Sequence, residues 1–427
     1  MTTVEAVISE PIDQPKDKPT SPAKAITGCP VDHSQFYGYQ KTTRVVEPPD
    51  RPIERDAHGV WHVRDFDLAR AVLRSTATKQ AGFKAEIIEK VPGMMTNPPI
   101  LYMEGKDHLE QRKQTARYFT PATTSKQYRQ FMTDLADTLI EELRQQRHAD
   151  LSKVTMTLAV AVAARVVGLT ESRLPGMDKR LDAFFAEGVG EFTRTPRGIF
   201  DFLVGQWNVL AFLYLDVKPA IAARKRQPQD DVISHLVQLN RNDREILTEC
   251  ITYGAAGMVT TREFICVAAW HMLDHPALRE RYLAAGEEER YAILYEILRL
   301  EPVAGHLFRR TTADLHLEYE GEPITIPAGD LIDLHITAAN VDPDVTGERP
   351  LQVCPGRELY GDRVPEMVLS FGDGHHRCPG AYVAIQESDI FLQRLLAIDD
   401  LYILSGPELS FSDLTGGYEL RKFMVAS

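Results

Sequence analysis

The 427-residue chain has no excess of basic residues, no closely spaced cysteine pair and no apolar run long enough to span a bilayer. Its 61 acidic against 48 basic residues give a formal charge of −13, which argues against nucleic-acid binding as a main task. Five scattered cysteines (Cys29, Cys250, Cys266, Cys354, Cys378) leave one over in any pairing. That usage fits a reducing cytoplasm and excludes a disulfide framework. The longest apolar stretch, Thr157 to Leu169, is interrupted by Arg165 and too short to cross a membrane. The polar N-terminus carries no visible targeting segment or hydrophobic anchor. No Gly/Ser linker or charge block divides the chain after about residue 40, so one large domain over 36–427 is expected. Residues 1–35 hold Pro11, Pro15, Pro19, Pro22 and Pro30 among polar residues and read as a mobile leader. Within it, Cys29 and His33 cannot fill a metal site. With 44% hydrophobic residues, the rest has ample material for a core.

Against these absences stands one distinctive stretch, Phe371 to Gly380, reading FGDGHHRCPG. Gly372, Gly374 and Gly380 permit backbone angles and close approaches that side chains forbid, so the loop can wrap against something large and flat. Cys378 sits at its tip, followed by Pro379 and an apolar-periodic helical pattern through Val383, Ile390, Leu392, Leu395 and Leu396. The cysteine therefore caps a helix whose dipole and free N–H groups favour a thiolate. A buried structural cysteine in a glycine-rich turn is the plain alternative. A zinc site from His375, His376 and Cys378 is another, but no further Cys/His cluster lies nearby to complete four ligands.

The decapeptide resembles the haem-binding signature of the cytochrome P450 family, with the aromatic, glycine, glycine, histidine, cysteine and glycine at Phe371, Gly372, Gly374, His376, Cys378 and Gly380. The resemblance implies a mainly α fold with a small antiparallel β region and a single domain. It implies haem b as cofactor, with Cys378 as the proximal iron ligand, whose thiolate pushes electron density toward O–O cleavage. Three further motifs support it, in order, between about residue 45 and the C-terminus. His108 and Arg112, four apart on one helix face, match basic positions that hold haem propionates; alone, such a pair is an ordinary solvated face. Glu296 and Arg299 match the family's Glu-x-x-Arg motif, with Arg357 as third partner of a buried structural group. Arg309 matches a second propionate-binding arginine, with Arg310 leaving the register open by one residue.

The remaining chain reads as elements around that centre. Residues 59–63 form a strand and 65–75 a short helix; 76–100 lose periodicity and read as a long loop of the kind that is usually functional. Helices are expected over 108–121, 126–147 and 150–169, the last deep in the core. The aromatic stretch within 180–226 resembles the helix pair that roofs the family's pocket. A helix from about 243 to 275 carries Gly254, Ala255, Ala256 and Gly257, which remove bulk at one place: room for a cofactor and small ligand, or a helix-packing seam. Thr260 can bond the carbonyl of Ala256 and loosen the helix there. After Pro302, alternation around Gly321 and Gly329 predicts a small antiparallel sheet.

The implied activity is a monooxygenase that oxidises a small organic substrate, such as one of secondary metabolism, using O2 and electrons from a ferredoxin and its reductase or a flavodoxin-type donor. Alternatives are a peroxide-using enzyme, an oxidative-coupling or ring-forming enzyme, and a haem-binding sensor without turnover. Candidate catalytic residues are Gly257, Val259 and Thr260. Val259 stands where the family usually has an acid that relays protons beside the threonine, and valine cannot relay a proton. Glu263, one turn on, would need a water bridge to substitute. Lys113, Arg117 and Arg377 are expected to form a local basic dock for an acidic electron donor.

Overall fold

The computed structural model describes residues 40–42, 51–83, 98–177, 180, 204, 207–208, 210–347, 349–412 and 416–427; the expected leader and most of the aromatic stretch from 180 lie outside these. The principal helices are α1 (Phe66–Arg74), α2 (Gly105–Thr115), α3 (Arg129–Gln146), α4 (Leu151–Val167), α5 (Lys218–Arg226) and α6 (Val232–Gln238). They continue with α7 (Asp243–Gly254), α8 (Thr260–Asp274), α9 (Pro276–Ala284), α10 (Glu287–Leu300) and α11 (Ala381–Leu396). Strands β1 (Ile53–Arg55), β2 (Trp61–Val63), β3 (Thr78–Gln80), β5 (His306–Thr311) and β8 (Leu331–His335) form one sheet in the order β1-β2-β8-β5-β3, with β4 at His148–Asp150. A hairpin joins β6 (Leu315–Tyr319) to β7 (Glu322–Ile326); β9 (Tyr402–Ser405), β10 (Glu408–Ser412), β11 (Gly417–Arg421) and β12 (Met424–Ala426) lie near the C-terminus.

Local chemistry explains the boundaries. Asp65 caps α1 by accepting the Leu68 N–H at 2.7 Å, and the left-handed Gly168 ends α4. Helix α8 is apolar nearly all round, with Ile265, Val267, Ala268, Ala269 and Met272 fully buried, which places it at the centre of the helical layer. Around it pack α4, α9, α10 and α11. A second apolar cluster joins α1 to the large sheet through Val63, Phe66, Val72, Ile332 and Leu334.

Several expectations need correction. The helix from 108 ends at Thr115 and tightens into a 3₁₀ turn, Ala116–Phe119, so it stops short of Pro121. The 76–100 loop contains β3, which pairs with β5; its sequence, Thr-Lys-Gln, has no apolar alternation to announce it. The β region is antiparallel except for β2 and β8, which run parallel with His62 opposite Asp333. The helix from 243 is interrupted by a π-helical turn, Ala255–Val259, and resumes at Thr260. Cys250, Cys266 and Cys378 are free thiols.

Glu296 and Arg299 are buried together on α10, Arg299 Nε donating to Oε1 at 2.7 Å and Nη2 to Oε2 at 3.1 Å. Arg357 Nε and the Cys354 N–H both donate to Glu296 Oε2, at 3.0 and 2.9 Å. Burial would raise the Glu296 carboxyl, but the two guanidinium groups and the N–H more than offset it and hold it below the usual range. The spare donors reach out to the irregular segment ahead of the cysteine loop: Arg299 Nη1 to Pro350 O at 2.6 Å, and Arg357 Nη1 to Thr346 O at 2.7 Å. Glu296→Ala, which strands both arginines, is expected to lower the unfolding free energy by about 3–5 kcal/mol in a urea titration. A loss under about 1 kcal/mol would remove the network from the account of what fixes this segment.

Candidate functional site

The cysteine loop is held by backbone geometry and buried charge. Gly372 and Gly374 have φ of +67° and +66°, the left-handed region that favours glycine. At Gly374 a Cβ would also lie 2.4 Å from the carbonyl oxygen of Leu73, so the loop runs hard against the end of α1. Gly380 differs: it is not left-handed, and an added Cβ there would meet Cys378 Sγ at 3.9 Å. What its missing side chain provides is room beside the sulfur.

Asp373, between the two left-handed glycines, accepts from Arg70 Nε at 3.0 Å and Arg74 Nε at 2.9 Å on α1, and from the Gly374 N–H at 2.7 Å. Burial opposes its ionisation, but these donors outweigh it and hold the carboxyl below its ordinary range. Arg112 on α2 donates to the carbonyl of Arg377, and the Cys378 N–H donates to Phe371 O at 2.8 Å. The sulfur lies two residues ahead of the N-cap Gly380 of α11, so the helix starts later than expected. Burial raises the Cys378 thiol, while the N–H groups of Gly380 and Ala381 and the charges of Arg112 and Arg377 pull it down. Burial wins, so the thiol stays protonated until a cation takes it as thiolate.

Near it converge more donors than the protein can satisfy with its own acids. Arg309, only 4% exposed, has its pKa pushed down to about 10 by burial against a single opposing carboxylate, Glu104. Its neighbour Arg310 instead turns outward to Gly329 O at 2.7 Å. Gln80 accepts from Arg309 Nη1, and its N–H donates to Glu104 Oε1 at 2.8 Å. His376 Nε2 contacts the same oxygen at 3.1 Å and stacks on the buried His108, ring centroids 4.3 Å apart. His108 is pushed down to about 4 by burial, with His376 and Arg112 adding to the effect, so it is a neutral N–H donor. Arg309 and two imidazoles thus share one carboxylate, and Arg112 stands beside the free cysteine with a carbonyl as its partner, a donor set with capacity for a further dianion. A haem, with two propionates and an iron needing an anionic sulfur, fits it.

Gly257 does not face that space: its Cβ direction meets Ala163 of α4 at 3.5 Å, so it belongs to a helix-packing seam. Ala256 and Thr260, one turn apart, remain open, and Thr260 Oγ1 donates to Ala256 O across the π turn. Val259 is buried. Glu263 is withdrawn from any relay: its carboxylate accepts from the Leu420 N–H and Arg421 Nη1, each at 2.7 Å, and from Arg262 Nε at 2.9 Å. Asp373, Gln80 and Glu104 were not singled out from the sequence. Of these only Asp373 left a trace, an acid inside the glycine loop facing an Arg-x-x-x-Arg pair on α1.

The family model "Cytochrome P450" matches residues 291–398. The biotin biosynthesis cytochrome P450 of Bacillus subtilis is 26% identical over 372 residues, covering 84% of this chain and 88% of that protein. The erythromycin C-12 hydroxylase of Saccharopolyspora erythraea is 28% identical over 359 residues, covering 81% and 84%. A solved structure of a P450 EryK mutant in complex with erythromycin B is similar with a TM-score of 0.69 and 26% identity, covering 88% of this chain and 93% of that one. With Cys378 in its glycine loop and the fold around it, the chain resembles the cytochrome P450 family.

Proposed function

We propose that the chain is a haem-thiolate monooxygenase that oxidises a small organic substrate, with haem b held by Cys378, His108, Arg112, Arg309 and His376. The observation that carries this reading is the excess of donors beside the one free cysteine in the glycine loop. Of the relatives, one is named for biotin biosynthesis and one for hydroxylating erythromycin, which favours oxygenation over a sensor without turnover. Bound haem would supply thiolate-ligated iron, at which a substrate R–H, O2, two electrons and two protons become R–OH and water. The chain's residues do the rest. Arg112 and Arg309 neutralise the propionates, His108 and His376 donate N–H groups to them, and Gly380 leaves the sulfur accessible. Reduced, CO-treated protein is expected to show the strongly red-shifted Soret band of thiolate ligation. Cys378→Ala should lose that band, and an Arg112→Ala/Arg309→Ala variant should elute from gel filtration without haem. A histidine-type Soret band in the unaltered protein would sink the assignment.

Proton delivery rests on the Thr260 hydroxyl, since Val259 has no proton to give and Glu263 is tied to the C-terminal strands. Water or a substrate group hands protons to Thr260 Oγ1, which can release its bond to Ala256 O to pass them on. Thr260→Ala is expected to lower product formed per NAD(P)H consumed, with haem content unchanged. Undiminished coupling would favour the oxidative-coupling or ring-forming alternative.

Electrons come from an acidic protein, a ferredoxin served by its reductase or a flavodoxin-type donor. Lys113 is exposed on α2, the helix whose Arg112 touches the Arg377 carbonyl, and Arg117 follows it at the surface. Reduction by such a donor should slow as salt rises, more steeply in the unaltered protein than in Lys113→Ala. Salt-independent kinetics would rule this face out.

A further inference from the structure

A group of side chains with metal-ligand chemistry lies on the large sheet and takes no part in the haem site. β2 and β8 pair in parallel with His62 opposite Asp333, and β8 and β5 pair antiparallel with His335 opposite His306. Asp333 and His335 are two apart on β8 and so share a face. Three adjacent strands therefore bring His62, Asp333, His335 and His306 together. His62 Nδ1 and His335 Nε2 are 2.9 Å apart, His62 Nδ1 and Asp333 Oδ2 3.5 Å, and His335 Nε2 and Asp333 Oδ2 3.4 Å. A tetrahedral ion with bonds of about 2.0–2.1 Å sets its ligand atoms roughly 3.3 Å apart, so the two edges to Asp333 match and the 2.9 Å His62–His335 edge opens slightly when an ion replaces that hydrogen bond.

We propose that His62 Nδ1, His335 Nε2 and Asp333 Oδ2 bind a divalent transition-metal ion of the zinc class, with water in the fourth position. The surrounding contacts are those of a built site. His306 Nδ1 reaches the other Asp333 oxygen at 2.9 Å, and His62 Nε2 faces Asp56 Oδ2 at 3.4 Å, which orients both ligands from behind. Asp56 is itself fixed, its other oxygen accepting the N–H groups of Val60 at 2.8 Å and His58 at 2.9 Å. Two imidazoles and a carboxylate select Zn2+, Ni2+ or Cu2+ over Mg2+ and Ca2+, which take oxygen ligands. His335 and Asp333 are buried while His62 is 22% exposed, which gives an ion a way in without opening the sheet. The ion would cross-link β2 to β8, while His306 extends the link to β5, the strand that carries Arg309.

The test uses haem-loaded protein stripped of other metals with a chelating resin and dialysed against Zn2+ alone. One equivalent of Zn2+ is expected to bind the unaltered protein. His62→Ala and Asp333→Asn should each lose it, and His306→Ala should weaken it about 10–100-fold. Unchanged haem content reports that each variant is folded. Zinc-edge X-ray absorption on the unaltered protein should show two imidazole nitrogens at about 2.0–2.1 Å, a readout that needs no variant. The proposal is overturned if Zn2+ uptake is the same in unaltered protein and His62→Ala. A zinc shell without imidazole also overturns it, and the four side chains are then a hydrogen-bonded cluster only.

Discussion

The molecule is arranged around the compensation of buried charge at one loop. The ten residues that carry Cys378 form no regular element beyond a single 3₁₀ turn, Gly374–His376, and have few backbone partners of their own. Their position is set from three sides. Asp373 is clamped by Arg70 and Arg74 of α1, the Arg377 carbonyl receives Arg112 of α2, and the segment upstream is tied through Arg357 to Glu296 of α10. Each ion pair loses hydration on burial, so none is a strong source of net stability. Their value is directional. A charge with one low-energy partner places its backbone in one position, and three such constraints place the sulfur.

The donor cluster beside the loop obeys the opposite rule. Arg309 and Arg112 are both shifted downward by burial, and Glu104 is the acid that opposes the shift at Arg309. Glu104 in turn stays ionised because His376, the Gln80 N–H and Arg309 together outweigh its own burial. In the clamps at Asp373 and Glu296 both arginines bond the carboxylate itself, whereas here Arg112 donates to the Arg377 carbonyl and Arg309 to Gln80. Arginines held by a carboxylate mark the part of the site that is structure, and arginines on neutral acceptors the part that can take an anionic ligand.

What could be read from the sequence was whatever local backbone chemistry determines. The glycine loop, the i,i+3 pair Glu296 and Arg299, and the loosening of the long helix at Thr260 all depend on neighbours within four residues, and each was legible. The bond from Thr260 Oγ1 to Ala256 O was expected; its extension into a π turn follows from the same competition for a carbonyl. Contacts across the chain were not legible. β3 is too short and polar to signal itself, and its Gln80 reaches Arg309 only because β3 pairs with β5 from 229 positions away. Gly257 meets the same limit: a small residue in a helix looks the same whether it makes room for a cofactor or for another helix. Only the neighbour, Ala163, tells them apart.

The π turn links these local and distant effects. Inserting an extra residue into one turn weakens the helical ladder, and such turns are kept mostly at functional sites. Here the turn lies between two well-buried helical halves, so the loosening is confined to five residues, Ala255–Val259. Flanking it, the carboxylate that could have served from the next turn, Glu263, is committed to Leu420 and Arg421, holding β11 against α8. The fold has thus assigned its nearby acid to structure and left the turn a hydroxyl and a valine. A site so built depends on protons that arrive with water or substrate. On the proposed reading, the fit of the substrate then governs how efficiently electrons are converted into product.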